Sequence, residues 1–221
     1  MKKETSPFDT LAARYDAWYD SADGRPLFEA EVACVRMVMP RRAEGWLEVG
    51  VGTGRFARAL GVRDGVDLSK PMLGLAAVRG VQVARGDAEA LPYRDVSFDG
   101  AIMVATFCFL DAPLPALREC ARVLRDGASL VVGIVPADSD WGRFYAAKAR
   151  DGHAFYSAAK FYTCEETSRL AASAGFRFDA AASTLFGPPD GPLRRVPIAR
   201  HGHAPGAGFA ALRFVKSGTG A

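Results

Sequence analysis

Two rhythms of apolar residues alternate along the chain. Near-continuous apolar runs at 46–49, 62–68, 81–84, 100–106 and 129–135 predict buried strands. Between them, apolar residues recur every three or four positions, which predicts helices packed on one face. Phe56, Ala57 and Leu60 mark one such helix. A second begins at Ser69 as N-cap with Pro71 in its first turn, and a third carries Leu114, Leu117, Cys120, Ala121 and Leu124 on one side. Asp126-Gly127 is expected to end that third helix. Strands alternating with helices over short links predict a parallel sheet covered on both faces, and right-handed crossovers make it doubly wound.

The two ends depart from this alternation. Phe8, Leu11, Ala12, Tyr15, Trp18 and Tyr19 form an aromatic helical face, broken at Asp23-Gly24-Arg25-Pro26. Leu27, Ala30, Val32, Val35, Met37 and Val38 then restore the pattern up to Pro40, so 8–39 is expected to hold two helices. After a helix over 138–150 comes the aromatic stretch DGHAFYSAAKFY (151–162). Thr163-Cys164-Glu165-Glu166 reads as a capping box opening a helix to Ala174. Strands over 176–186 and 208–215 are expected to pair antiparallel, separated by a Pro/Gly/Arg/His loop at 187–207 that is long enough to be functional or mobile.

The chemistry concentrates in WLEVGVGTGRFARAL, residues 46–60. A strand carrying Glu48 breaks into Gly50-x-Gly52-x-Gly54 and resumes as a helix. Glycines there permit positive φ and close approach of a ligand to the backbone, and the helix start offers unpaired N–H donors. The dinucleotide fingerprint would place a third glycine where Arg55 stands, and no Gly-Lys-Ser/Thr follows for a phosphate loop. Asp67 ends the second strand seventeen residues after Gly50, near where α/β nucleotide sites place a ribose-binding acid. The polar loop at Gly86 and the loops after Val49, Asp67 and Thr106 would converge on the same end of the sheet, outside the carboxyl ends of the strands.

Composition narrows the classes. The chain has 221 residues, suited to a single domain over 1–221, and a net charge of +3 with scattered basic residues, which argues against nucleic acid as a partner. No apolar run reaches membrane-spanning length, and Met1-Lys2-Lys3-Glu4 leads into no signal core. The four cysteines, Cys34, Cys108, Cys120 and Cys164, are widely spaced, as expected of reduced thiols in a cytoplasmic protein without a metal site. His201 and His203 sit in a glycine loop and supply too few ligands for a metal.

EVGVGTGR, the strand ending in Asp67, GDAEALPYRDVSFD and CARVLRDGASLVVGIV together resemble the class I S-adenosylmethionine-dependent methyltransferases, most closely those similar to the small ubiquinone/menaquinone-biosynthesis enzymes. The resemblance runs from about Phe8 to Val215. It implies a Rossmann-like, seven-stranded, mostly parallel sheet in order 3-2-1-4-5-7-6, with strand seven antiparallel. It divides the domain into a helical lid (1–40), a cofactor-binding core (41–135) and a C-terminal part (136–221). It also implies S-adenosylmethionine as cofactor and S-adenosylhomocysteine as product. Glu48, Gly50, Gly52 and Gly54 would surround the methionine portion and Asp67 would accept from the ribose hydroxyls. Leu68 and Met72 would flank the adenine, and Asp87 and the Ala88 N–H would meet its edge. Val104 to Thr106 would form the floor, and Tyr15 and Tyr19 the lid.

The chain departs from better-known relatives after strand four, where it reads Thr106-Phe107-Cys108-Phe109-Leu110. It also lacks the Asn/Asp-Pro-Pro-Tyr signature of enzymes that methylate DNA bases or glutamine amides. The acceptor pocket is expected at Phe107, Cys108, Phe155 and Tyr162, with Phe109 and Tyr156 adding to its aromatic front. The expected reaction is in-line displacement onto a small-molecule acceptor by a monomer or homodimer. Such an enzyme gains mainly by alignment, worth roughly 7–11 kcal/mol in well-oriented systems. Tyr15, Tyr19, His153 and Tyr156 are the candidates for a general base, should the acceptor need one. A metalloid acceptor held by Cys34, Cys108 and Cys164 is a minor variant. A catalytically silent cofactor-binding partner and a dinucleotide-dependent oxidoreductase are the competing readings.

Overall fold

A computed structural model describes residues 6–41, 43–191 and 196–218. Its sheet has eight strands. In chain order they are β1 (Trp46–Val49), β2 (Asp64–Asp67), β3 (Gln82–Arg85), β4 (Phe98–Val104), β5 (Leu124–Ile134), β6 (Phe176–Thr184), β7 (Arg200–His201) and β8 (Phe209–Lys216). They lie in the order β3-β2-β1-β4-β5-β8-β6-β7. The first five pair in parallel, whereas β8 runs antiparallel to both β5 and β6. This is the expected Rossmann-like methyltransferase order with one addition. The two-residue β7 forms inside the stretch read as a loop, where Arg200 and His201 pair with Ser183 and Ala182. Residues 192–195 of that stretch lie outside the described residues.

Where 8–39 is expected to give two helices, three form: α1 (Pro7–Thr10), α2 (Ala12–Trp18) and α3 (Gly24–Val38). Ser6 caps α1 through Phe8 N–H, and the chain turns at Leu11 before α2 begins. The Asp23-Gly24-Arg25-Pro26 break is real, but it lies at the start of α3, whose first turn tolerates proline.

The remaining helices are α4 (Arg55–Leu60), α5 (Lys70–Val78), α6 (Pro113–Val123), α7 (Asp140–Arg150) and α8 (Cys164–Ser173). Ser69 caps α5 and the Thr163/Glu166 capping box opens α8, both as expected. One boundary differs. Asp126-Gly127 does not end α6; the helix stops at Val123 and β5 begins at once at Leu124. Beside β4, the pairing jumps from Phe98↔Leu124 to Gly100↔Ser129, so the polar residues Arg125 to Gly127 bulge out of the ladder.

The sheet separates two apolar layers. Met103, Leu117, Leu130 and Phe214 belong to one, and Val35, Ile102, Val131 and Phe209 to the other. The second layer includes the inner face of α3, which therefore packs across β6 and β8 and carries α2 toward the carboxyl end of β1.

Candidate active site

The turn after β1 is built from three glycines with positive φ: Gly50 at 73°, Gly52 at 51° and Gly54 at 77°. Each has its own reason. A side chain on Gly50 would collide with Thr106, and a Cβ on Gly54 would lie 2.9 Å from the Ala76 backbone of α5. Around Gly52, by contrast, a Cβ would meet no protein atom within 4 Å. The turn is thus packed against protein on two sides and open on the third. Gly52 N–H and Ser69 N–H each donate to the Asp67 carboxylate at 2.9 Å, tying the first loop to the end of β2. Burial raises the Asp67 pKa against the pull of these donors.

A cavity of about 350 Å³ opens in front of this loop. Its walls contain Tyr15, Tyr19, Glu48, Gly50, Gly52, Asp67, Leu68, Met72, Asp87, Ala88, Val104 and Thr106, gathered from four strand ends and the N-terminal helices. Gly54 does not line it and acts as the N-cap of α4. Glu48 is fully buried, and its Oε2 has no hydrogen-bond partner among the described residues. Burial pushes its carboxyl well above the usual range, against a lowering contact from the Ala57 backbone. An unpartnered buried carboxyl oxygen is costly, and it faces the space where a cationic group would satisfy it. At the floor, Thr106 Oγ1 donates to the carbonyls of Gly50 and Val104, both at 3.1 Å. Ala105 between them has φ +52°, a conformation that costs an L-residue about 1 kcal/mol or more.

A second cavity of about 160 Å³ adjoins the first. Tyr15, Tyr19, Ala105, Phe109 and Phe155 line both. Phe107, Cys108, Phe155 and Tyr162, the expected acceptor-pocket residues, all line the second, together with His153 and Tyr156. Tyr15 and Tyr19 meet hydroxyl to hydroxyl at 2.8 Å, and the Tyr15 and Phe155 ring centroids are 5.4 Å apart. Burial pushes the phenols of Tyr15, Tyr19 and Tyr156 up, so at neutral pH they are hydrogen-bond donors rather than bases. His153 stacks on Tyr156 at 4.8 Å, and burial lowers its pKa, leaving a neutral imidazole. The Cys34, Cys108 and Cys164 thiols are each pushed up to about 12 by burial, so none is a thiolate at neutral pH. Among the described residues, no three His, Cys, Asp or Glu side chains are gathered as metal ligands would be; His201 lies on the edge strand.

Several wall residues have no counterpart in the sequence reading of the site. Phe8 packs edge-on against Tyr15 and Phe109, and its place on the aromatic helical face was the available signal. Glu31 and Tyr145 line the second cavity. Glu31 stands one helical turn from Leu27 and one from Val35, an acid on the apolar stripe of α3.

The comparisons agree with this geometry. Residues 47–132 match the family model described as a methyltransferase domain. An uncharacterised protein of Mycobacterium tuberculosis is 44% identical over 204 residues, covering 92% of this chain and 72% of that protein. A crystal structure from Thermotoga maritima, described as a SAM-dependent methyltransferase and possible histamine N-methyltransferase, superimposes with a TM-score of 0.87. It is 38% identical and covers 96% of this chain and 98% of that one. The ubiquinone/menaquinone biosynthesis C-methyltransferase of Paracoccus denitrificans is 34% identical over 139 residues, 57% of this chain and 56% of that protein.

The chain therefore belongs to the S-adenosylmethionine-dependent methyltransferases, and S-adenosylmethionine is its cofactor. The glycine loop left open at Gly52 and the unpartnered Glu48 oxygen fit that group, which carries a cationic amino end.

Proposed function

We propose that this chain methylates a small organic acceptor, holding the cofactor in the larger cavity and the acceptor in the smaller one. The observation that carries the reading is the wall the two cavities share at Tyr15, Tyr19, Ala105, Phe109 and Phe155. S-adenosylmethionine, when bound, supplies a methyl group already activated on sulfur. The protein's work is to bind, align and keep water out. Glu48 pairs with the amino group, and the backbone of Gly50 and Gly52 lies along the methionine chain. Asp67 accepts from the ribose hydroxyls, Leu68 and Met72 flank the adenine, and Asp87 with the Ala88 N–H reads its edge. Tyr15 of α2 and Tyr19 at its C-cap close over the junction of the cavities.

The relatives differ in acceptor atom: one is named a C-methyltransferase and another a possible histamine N-methyltransferase. Of the four base candidates, His153 is the one whose neutral form dominates at physiological pH and can accept a proton; it lines the acceptor side. A screen with methyl-labelled S-adenosylmethionine over phenols, amines, thiols and small acids tests the reading. Labelled product with any of these supports it. Cofactor binding with no labelled product from any class would favour a silent binding protein instead.

A further inference from the structure

The smaller cavity has an acid that the fold does not require. Glu31 lies on the inner stripe of α3, one turn from Leu27 and one from Val35, both buried. Trp18, Tyr19, Tyr145 and Tyr156 line the same cavity, whose walls are otherwise mostly apolar. Burial pushes the Glu31 carboxyl up to about 8, and among the described residues no Lys, Arg or His pairs with it. Lys148 also lines the cavity, but its ammonium lies over the Phe144 ring, 4.3 Å from the centroid, and makes no ion pair with Glu31. A leucine would extend the stripe at no electrostatic cost, whereas an unpaired acid among aromatic rings is expensive.

A ligand that repays this arrangement must bring positive charge and N–H donors, and it must have a body that packs on aromatic faces. An organic ammonium does all three: its charge pairs with the carboxylate and is also attracted to the ring faces. A phosphate or carboxylate would be repelled by Glu31, and a purely apolar acceptor would leave the acid unpaired.

We propose that the acceptor is a small amine bound as its ammonium, with Glu31 as counter-ion and the aromatic walls around its apolar body; for methylation at that nitrogen its proton passes first to the Glu31 carboxylate, freeing the lone pair that displaces the sulfonium sulfur. This rests on the assignment of the smaller cavity as the acceptor site. It makes Glu31 a specificity-determining residue that separates amines from alcohols of the same shape.

The test is calorimetry at pH 8.5 on the full chain saturated with S-adenosylhomocysteine, titrated with 2-phenylethylamine or 2-phenylethanol. The amine should bind the native protein at least about tenfold more tightly than the alcohol, the size of one charge-assisted contact. Glu31→Gln should lose about tenfold or more for the amine and leave the alcohol unchanged, while Glu31→Asp recovers part of the preference. Saturation of both variants with S-adenosylhomocysteine at native affinity establishes that they fold. If S-adenosylhomocysteine fails to bind the native protein, the functional assignment itself is wrong. If it binds, but the alcohol matches the amine or Glu31→Gln keeps the preference, the ammonium site alone is overturned.

Discussion

Arg55 and Asp16 are joined side by side, Nε to Oδ1 at 2.8 Å and NH2 to Oδ2 at 3.2 Å. Arg55 opens α4 immediately after the glycine loop, whereas Asp16 belongs to α2, next to Tyr15. Arg79 adds a third bond to Asp16 at 2.7 Å and reaches the Thr53 carbonyl at 2.9 Å. Burial opposes ionisation of Asp16, but its bonds to Arg55, Thr53 and Arg79 hold the carboxyl at about 2. The residue that takes the place of a third glycine therefore ties the glycine loop to the aromatic helix α2. Arg55→Ala should cost about 2 kcal/mol, since both partners are mostly buried, and lower Tm by roughly 4–8 °C. Arg55→Lys should recover little of this, because an ammonium cannot make the parallel pair. Thermal denaturation of the three proteins checks it.

Glu48 gives a prediction specific to one end of the cofactor. Its Oε2 lacks a partner among the described residues, so Glu48→Gln should weaken S-adenosylhomocysteine by about 1.5–3 kcal/mol, the scale of a charge-assisted contact. 5′-Methylthioadenosine has no amino-acid end and should bind both proteins equally. Parallel titrations with the two ligands read the difference; equal losses for both would mean that Glu48 only shapes the loop.

Gly54 tests the packing beneath the site. Gly54→Ala combines positive φ with a Cβ 2.9 Å from Ala76, and α5 must shift to admit it. A loss of about 2–4 kcal/mol is expected, from αL strain plus overpacking, measured by urea denaturation. The neighbouring Gly52→Ala meets no atom within 4 Å and should cost only the strain, about 1–2 kcal/mol.

Glu31 predicts a pH dependence of stability with a definite sign. Its folded pKa of about 8 lies above the usual carboxylate range. Between the two values the folded state holds a proton that the unfolded chain has released, so stability falls as pH rises through this window. The other groups lining the cavity do not share the window. Burial pushes Tyr15, Tyr19, Tyr145 and Tyr156 up, and Cys34, beside Glu31 on α3, is held at about 12 by burial. Burial lowers His153, toward the acid side. Glu31→Gln should match the native protein in stability near pH 4.5 and exceed it by about 1–3 kcal/mol at pH 8.5, allowing for water reaching the carboxyl. Denaturation midpoints at the two pH values decide it.

What the sequence disclosed follows from how directly each feature is written in residue types. Glycines with positive φ, an acid at the end of β2 and a Ser or Thr before a helix are local necessities, so Gly50 to Gly54, Asp67, Ser69 and Thr163 could be placed from the chain alone. The parallel strands could also be read, because burial on both faces leaves continuous apolar runs. Features that depend on partners were not legible. The pair Arg200–His201 has no periodicity, and it forms a strand only because Ser183 and Ala182 offer an open edge. Asp126-Gly127 reads as a helix stop by composition, yet the neighbouring strand draws Leu124 into the sheet first. Glu31 is hidden for a similar reason. An acid within a helix reads as solvent-facing until the stripe through Leu27, Val35 and Val38 is drawn through it.

The cavity in front of Gly52 is the proposed cofactor site, and Asp67 lines it. Calorimetric titration of the native chain and of Asp67→Ala with S-adenosylhomocysteine, with NAD as control, tests this most directly. The native protein should bind one equivalent and give no heat with NAD. Asp67→Ala should bind more weakly by about 1–3 kcal/mol, the cost of leaving buried polar groups unpaired. Binding of NAD in place of S-adenosylhomocysteine, or an unchanged affinity in Asp67→Ala, would contradict it.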